Sequence, residues 1–563
     1  MTIVGIDLGT TNSLISIWGD EGPELIPNAL GKTLTPSVVG VNDEGEILIG
    51  EAAKERLITH ADQTIADFKR TMGSDRVVEL GSYKFRPEEL SAFVLRALKA
   101  DAEQHLGQPV TDAIISVPAY FNDIQRKATI DAGKLAGLTV ESLINEPTAA
   151  ALAYGLNEVE DSQFLIFDLG GGTFDVSILD KYDNVMEVRA TAGDNYLGGN
   201  DFRDAIAEML ISNHELDRAN ISHRAMNRLH RLAETIKEQL SSNGEARYAA
   251  TIDEVEIEGS LNRDEFEELT SPLRRRLRIP MERAINDAIL TPEKIENVIL
   301  VGGASRMPMI RRMVGRLFHK LPLSHLNPDE LIALGAAVQT GLKSRNAALE
   351  DVVMTDVCPY TLGTSAVVDD NFQNLVIVPI IERNSVVPIS QSQSFYTIRN
   401  KQTQIHLDIY QGENMRPADN ILLGDLNIDV PPAPAGDEGI DVRFTYDING
   451  ALEVEVTSLS TKKQVRKIFK NQANLSEEDL QQRFKALSDI KLHPRDQAEN
   501  AALLARAERI YAESLRHQRD YVRTLILDFE QFISDPKNRD VASIRDAFSE
   551  ALEELEGSLF DSE

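Results

Sequence analysis

Apolar and polar positions follow several rhythms along this chain, and each change of rhythm marks a boundary. The chain opens with an apolar run, Thr2–Ile6, that ends in Asp7-Leu8-Gly9-Thr10-Thr11-Asn12 and resumes as Ser13–Ile17. The plan recurs at Phe164–Phe167, then Asp168-Leu169-Gly170-Gly171-Gly172-Thr173, then Phe174–Leu179. Two apolar runs around a Gly-rich connection predict a β-hairpin. Its repetition predicts two similar lobes, each offering one such turn to a ligand between them. A third apolar run, Val298–Val301, ends in Gly302-Gly303 and leads through Arg306 to Pro308.

Between these signals lie short strands (Ser37–Val41, Ile47–Ile49, Ala113–Val117) and helices near Pro87–Leu106 and Gln125–Ala136. Asn145-Glu146-Pro147-Thr148 opens an Ala-rich helix, since Pro and Thr suit a helix start. Gly198 and Gly199 precede a long polar helical zone in which Glu234, Lys237 and Ser241 share one face at i, i+3 and i+7. Helical pattern stops near Ala348. The acid-flanked segment Val352-Val353-Met354-Thr355-Asp356 reads as a linker able to dock as a strand. From Thr361 to about Val465 the pattern turns to strands, with Asp447–Gly450 as a hairpin turn. A β-sandwich of seven or eight short strands is expected. From Leu475 the chain is helical: Ser476 can cap against Asp479, and Val541, Ile544, Phe548, Leu552 and Leu555 form a core-facing stripe.

The expected organisation is multidomain α/β: residues 1–347, a linker over 348–356, a β-sandwich over 357–474 and a helical segment over 475–563. A chain of 563 residues is too long for one core, which agrees. Its 58 basic and 90 acidic residues give a net charge of −32, against a basic footprint for nucleic acid or an anionic membrane. Cys358 is the only cysteine, so an intrachain disulfide or a cysteine metal cluster is excluded. No uncharged apolar run reaches the roughly 18 residues of a membrane span, and the first strand starts at residue 2 without room for a leader. A soluble, cytoplasmic protein is expected.

Candidate chemistry gathers at the turns. Successive glycines let backbone N–H groups close on an anion. Asp168 and Asp175 cannot attract phosphate by themselves, which calls for a divalent cation between. Mg²⁺ suits, because it keeps several waters and takes few protein ligands. Lys69 and Arg70 supply positive charge in the same lobe. No Gly-x4-Gly-Lys-Ser/Thr run occurs, so the nucleotide site is not of the P-loop kind.

These stretches, with Val117-Pro118-Ala119-Tyr120-Phe121-Asn122-Asp123 and Asn145-Glu146-Pro147-Thr148, resemble the 70-kDa heat-shock (Hsp70, DnaK-type) chaperone family over residues 1 to about 480. The compact tail is similar to its specialised bacterial HscC branch. The resemblance implies an actin-like two-lobed ATPase domain, a β-sandwich peptide-binding domain and a short α-helical lid. It implies a chaperone, active in folding and stress response, that binds extended hydrophobic segments of unfolded client polypeptides and switches affinity with ATP and ADP. Mg²⁺ is implied at Asp7, Asp168 and Asp175, partly through water, with K⁺ as a candidate second ion. Phosphates would be cradled by Gly9, Thr10, Thr11, Asn12, Gly170, Gly171, Gly172 and Thr173, with Gly198 and Gly199 adjoining.

Lys69, Glu146, Thr173 and Asp175 are the implied catalytic group, and adenosine would meet Glu234, Lys237, Ser241, Gly302, Gly303, Arg306 and Asp329. Such a site accelerates phosphoryl transfer by positioning and charge neutralisation. Coupling to the sandwich would pass through Pro118 and Arg126 to Val352, Val353, Met354 and Asp356. The polar Thr355 suggests weaker linker docking. The implied peptide channel comprises Leu362, Thr364, Val367, Phe395, Ile398, Gln402, Ile405, Leu407 and Ile440. Ser142, where many members carry the arginine that meets J-domain partners, suggests a dedicated J-protein; an exchange factor is left open. Ala435, in place of a lid-latching arginine, and the short lid imply fast peptide exchange. The alternatives are a regulatory binder of one or few proteins that uses ATP as a switch, and an actin-superfamily small-molecule kinase.

Overall fold

The structure is a computed structural model that describes residues 2–155, 161–182, 185–323, 327–349, 352–367, 375–447, 450–469, 482–485, 487, 498–513, 516–533 and 541–560. Ser476 and Asp479 lie outside these residues. The duplicated hairpins build two sheets of matching plan. In the first sheet the order is Thr139–Asn145, Asp112–Val117, Ile3–Leu8, Asn12–Trp18, Pro23–Ile26. In the second it is Asn297–Val301, Ser162–Leu169, Phe174–Tyr182, Val185–Asp194. Leu8 pairs with Ser13 as Leu169 pairs with Phe174, so each hairpin closes over a turn of the same length. Each central strand also has a parallel neighbour, Asp112–Val117 or Asn297–Val301.

Between the sheets lie two helices, Glu146–Gly155 and Leu331–Lys343, that are apolar nearly all round. Such helices are stable only when buried. Their small residues allow close crossing: a Cβ on Gly335 would stand 1.7 Å from the Ala149 carbonyl oxygen. The cleft between the lobes sits above this crossing.

One expectation needs correction. The polar helical zone after Gly199 is interrupted by an antiparallel pair, Glu245–Ile252 and Val255–Asn262, which covers the second-lobe core with Ala246, Ile252, Ile257 and Leu261. The alternation that marks it is diluted by alanines and charges, so the helical rhythm of its neighbours overshadows it.

Two four-stranded sheets form the sandwich. One contains Leu375–Ile381, Leu362–Val367, Gln404–Gln411 and Ile421–Asp429; the other contains Ile389–Tyr396, Gly439–Tyr446, Leu452–Ser458 and Gln464–Phe469. Period-2 burial explains it: Ile440, Val442, Phe444 and Tyr446 turn inward while Arg443 faces solvent. Helices Ala498–Glu513, Arg516–Ile533 and Val541–Phe560 share a core in which Phe548, Leu552 and Leu555 are buried. The first of them lies on the first lobe: Ala502 is buried among Val38, Leu48, Ala52 and Ala53. No described helix is long and apolar enough to cross a membrane.

Candidate functional site

The two turns face one another across a cleft of about 480 Å³. Their approach demands glycine. A Cβ on Gly171 would stand 2.0 Å from Thr11 Oγ1. Gly302 has φ 79° and would press a Cβ to 2.3 Å from the Leu169 carbonyl oxygen. A side chain at Gly171 would force the lobes apart, and one at Gly302 would push its turn off the second-lobe hairpin.

The cleft wall contains Asp7, Gly9, Thr10, Thr11, Asn12, Asp168, Gly170, Gly171, Thr173 and Gly199, with the buried pair Lys69 and Glu146. Lys69 Nζ meets Glu146 Oε1 at 2.9 Å. Across the cleft stand Glu234, Lys237, Ser241, Gly302, Gly303, Arg306 and Asp329. Lys237 Nζ pairs with Glu234 at 2.7 Å and donates to the Gly199 carbonyl at 3.1 Å. Arg306 is braced by Asp329 at 2.6 Å and by Asn327 at 2.8 Å. The helical-face triplet of Glu234, Lys237 and Ser241 thus faces the turns.

Three expected residues are not on this wall: Gly172, Gly198 and Asp175. Gly172 packs on Thr10 and Arg70, and Gly198 on the backbone of Gly171, so both shape the turns from behind. Asp175 pairs with Asp168 across the hairpin, and its Oδ1 accepts from the Tyr120 N–H at 3.1 Å. Reasoning from sequence missed Leu14, Leu34, Asn200, Glu238 and Ile332, which also line the cleft. Asn200 follows the Gly198-Gly199 signal directly; Leu14, Glu238 and Ile332 sit in regular strands and helices, and Leu34 in the connection before Thr35, none of them in a motif.

The carboxylates are starved of compensation. Burial pushes Asp7 up to about 7, helped by the negative Glu146 and opposed by Lys69. Burial and Glu146 likewise push Asp175 up to about 8, and Asp168 well above the usual carboxylate range. Asp7 Oδ1 has Ser116 Oγ at 2.8 Å, whereas Asp168 Oδ2 and Asp175 Oδ2 are buried with no partner. Unpaired buried carboxylate oxygens are costly unless a cation meets them. The cluster therefore fits a hard divalent ion. Among the described residues no three His, Cys, Asp or Glu side chains converge enough to hold it directly, so the fit is to a hydrated ion such as Mg²⁺.

The segment after the two lobes continues their second sheet. Val353–Val357 lies parallel to Val185–Asp194, Val353 opposite Val185, and antiparallel to Val386–Val387 of the sandwich. Val352 and Met354 pack on the core between the lobes. Buried Thr355 Oγ1 has no partner, which is the cost of a hydroxyl in this strand. Asp356 Oδ2 accepts from Asn145 and from Thr148, each at 2.9 Å. Asn145 accepts in turn from Arg126 at 2.7 Å, and Arg126 also donates to the Ala119 and Phe121 carbonyls at 3.0 Å. Pro118 lies at the head of that loop, where its carbonyl accepts from Phe121 N–H at 3.1 Å.

Val367, Phe395, Ile398, Gln402 and Ile405 gather at one end of the sandwich, around the loop 397–403. Gln402 Oε1 holds that loop by accepting from Ile398 N–H at 3.0 Å. Leu362, Thr364, Ile405, Leu407 and Ile440 are buried within the sandwich itself. None of these five contributes to the exposed surface of the sandwich.

The family model described as Hsp70 protein matches residues 3–561. The chain is similar to the chaperone protein DnaK of Thermosipho melanesiensis, 40% identical over 575 positions that cover 97% of this chain and 95% of that one. It is 43% identical to the chaperone protein DnaK of Thermosipho africanus over 505 positions, 87% of this chain and 83% of that one.

Proposed function

The chain belongs to the Hsp70 family, and from that premise we infer an ATP-dependent molecular chaperone whose cleft hydrolyses ATP to switch the grip of its sandwich on client polypeptides. The observation that carries this reading is the strand Val353–Val357, which extends the sheet that bears the second turn and leads straight into the sandwich. A small-molecule kinase needs no such strand.

The residues divide the work. The turns Gly9–Asn12 and Gly170–Thr173 would hold the phosphates through backbone amides. The helix face Glu234, Lys237, Ser241 and the Gly302–Arg306 turn would hold the nucleoside. Asp7, Asp168 and Asp175 would hold Mg²⁺ largely through its waters, and the bound ion would supply charge neutralisation on the phosphate oxygens. Lys69, fixed by Glu146, and the Thr173 hydroxyl would orient the attacking water.

Client segments would lie across the sandwich end at Val367, Phe395, Ile398 and Gln402, gripped by edge backbone and an apolar groove. The domain limits proposed are 1–347, 348–356, 357–474 and 475–563. We further propose a cytoplasmic protein of the specialised HscC-like branch, served by a dedicated J-domain partner at the edge strand Thr139–Asn145, which carries Ser142. Thr173→Ala tests the assignment of the cleft. It should bind ATP as before and hydrolyse it more slowly in a single turnover; equal rates would remove Thr173 from the catalytic group.

A further inference from the structure

Among the three carboxylates of the cleft, Asp7 and Asp168 stand on its wall and Asp175 does not. Behind the wall its Oδ1 accepts from Tyr120 N–H at 3.1 Å, while Oδ2 has no partner. Tyr120 is therefore in a position to govern that carboxylate, and Tyr120 is itself held from several sides. Arg283 donates to its hydroxyl at 2.8 Å, and Asn195 Nδ2 donates to its carbonyl at 2.6 Å. One further donor to that carbonyl comes from outside the ATPase lobes. Tyr360, four residues past Asp356 and on the sandwich side of the linker, donates its hydroxyl to the Tyr120 carbonyl at 2.6 Å. The two rings pack with centroids 4.5 Å apart.

We propose that Tyr360 is a positioning residue for ATP hydrolysis: docked, its hydroxyl clamps Tyr120, and Tyr120 keeps the Asp175 carboxylate away from the cleft. When the sandwich departs, the hydroxyl departs with it. Residue 120 is then tethered only by groups of its own lobes, and Asp175 is free to turn its unpaired oxygen into the cleft. The docked arrangement is thus the slow one for hydrolysis. This route is separate from the one through Arg126, Asn145 and Asp356, with which it shares no side chain. It rests on the reading of Asp175 as part of the catalytic centre.

The test is Tyr360→Phe, which keeps the ring and removes only the donor. One neutral hydrogen bond lost from the docked state corresponds to about a five-fold rise in basal kcat for ATP. KM for ATP should stay unchanged, and stimulation by a hydrophobic peptide should shrink by the same factor. Small-angle scattering with Mg²⁺-ATP should report a particle as compact as the wild type. Unchanged kcat would overturn the proposal. So would a faster kcat accompanied by an expanded particle like that of Arg383→Ala, which breaks the interdomain pair with Asp287 at 2.8 Å and keeps the Tyr360 hydroxyl. Asp175→Asn separates the two readings: normal hydrolysis in that variant would remove Asp175 from the centre, whereas a dead Asp175→Asn beside a wild-type-like Tyr360→Phe would refute the clamp alone.

Discussion

Arg509→Ala removes the side chain that ties the helical tail to the ATPase lobe. Arg509 is 3% exposed and bridges two carboxylates, Glu55 of the lobe and Glu556 of the last helix. Removing one partner of a buried ion pair costs about 3–5 kcal/mol, because the other charge stays buried and unpaired. Here each carboxylate keeps a second cation: Glu55 has Arg231 at 3.4 Å and Glu556 has Arg506 at 2.6 Å. Both are also less buried than Arg509. We therefore expect a loss of about 2 kcal/mol in lid docking, roughly a thirty-fold fall in the docked-to-undocked ratio. Lysine should not rescue it, since a single ammonium cannot fork between two carboxylates.

Dyes on Glu44→Cys and Glu550→Cys, both at exposed positions, would follow docking by energy transfer in Mg²⁺-ATP. Cys358 is buried and stays unlabelled. A urea titration would read the equilibrium even where docking is nearly complete. The titration should shift by that amount, and peptide release in ATP should slow as the lid leaves the lobe. Energy transfer and release rates equal to the wild type would refute the reasoning.

Gly171→Ala sets a Cβ at 2.0 Å from Thr11 Oγ1, so the lobes should close poorly and ATP affinity should fall at least ten-fold by calorimetry while the fold is retained. Asp356→Ala leaves Asn145 and Thr148 without their acceptor; ATP should still be hydrolysed, but peptide release should lose its response to ATP. Asp123, at the sandwich contact, donates its backbone N–H to Gln411 Oε1 at 3.2 Å, and burial pushes its carboxyl up to about 6 against the pull of Arg126. The docked state then binds the proton more tightly than an exposed carboxylate near 3.9 would. Docking of the sandwich should strengthen as pH falls from 7 through 6, and Asp123→Asn should flatten that dependence in small-angle scattering with Mg²⁺-ATP.

Much of the cleft could be read from the chain because its parts are local. Asp7-Leu8-Gly9 and Asp168-Leu169-Gly170 mark their own hairpins, and the structure brings the two turns together in equivalent register. The i, i+3, i+7 face of Glu234, Lys237 and Ser241 points as helical geometry requires. The pair Glu245–Ile252 and Val255–Asn262 was hidden because Ala246, Tyr248 and Ala250 make a weak alternation beside strongly helical neighbours. Asp175 stands behind the cleft wall in contact with Tyr120, and nothing in the hairpin sequence encodes that contact. Tyr360 and Arg509 were illegible for a different reason. Their partners lie 240 and 454 residues away, so only the folded arrangement of domains makes them meet.

We propose that a nucleotide in the cleft governs the sandwich through the docked linker. Fluorescence anisotropy of a labelled extended hydrophobic peptide on the full chain tests it most directly. The peptide should bind in ADP, and anisotropy should drop within seconds of adding Mg²⁺-ATP. Peptide that binds and then ignores ATP would contradict the account.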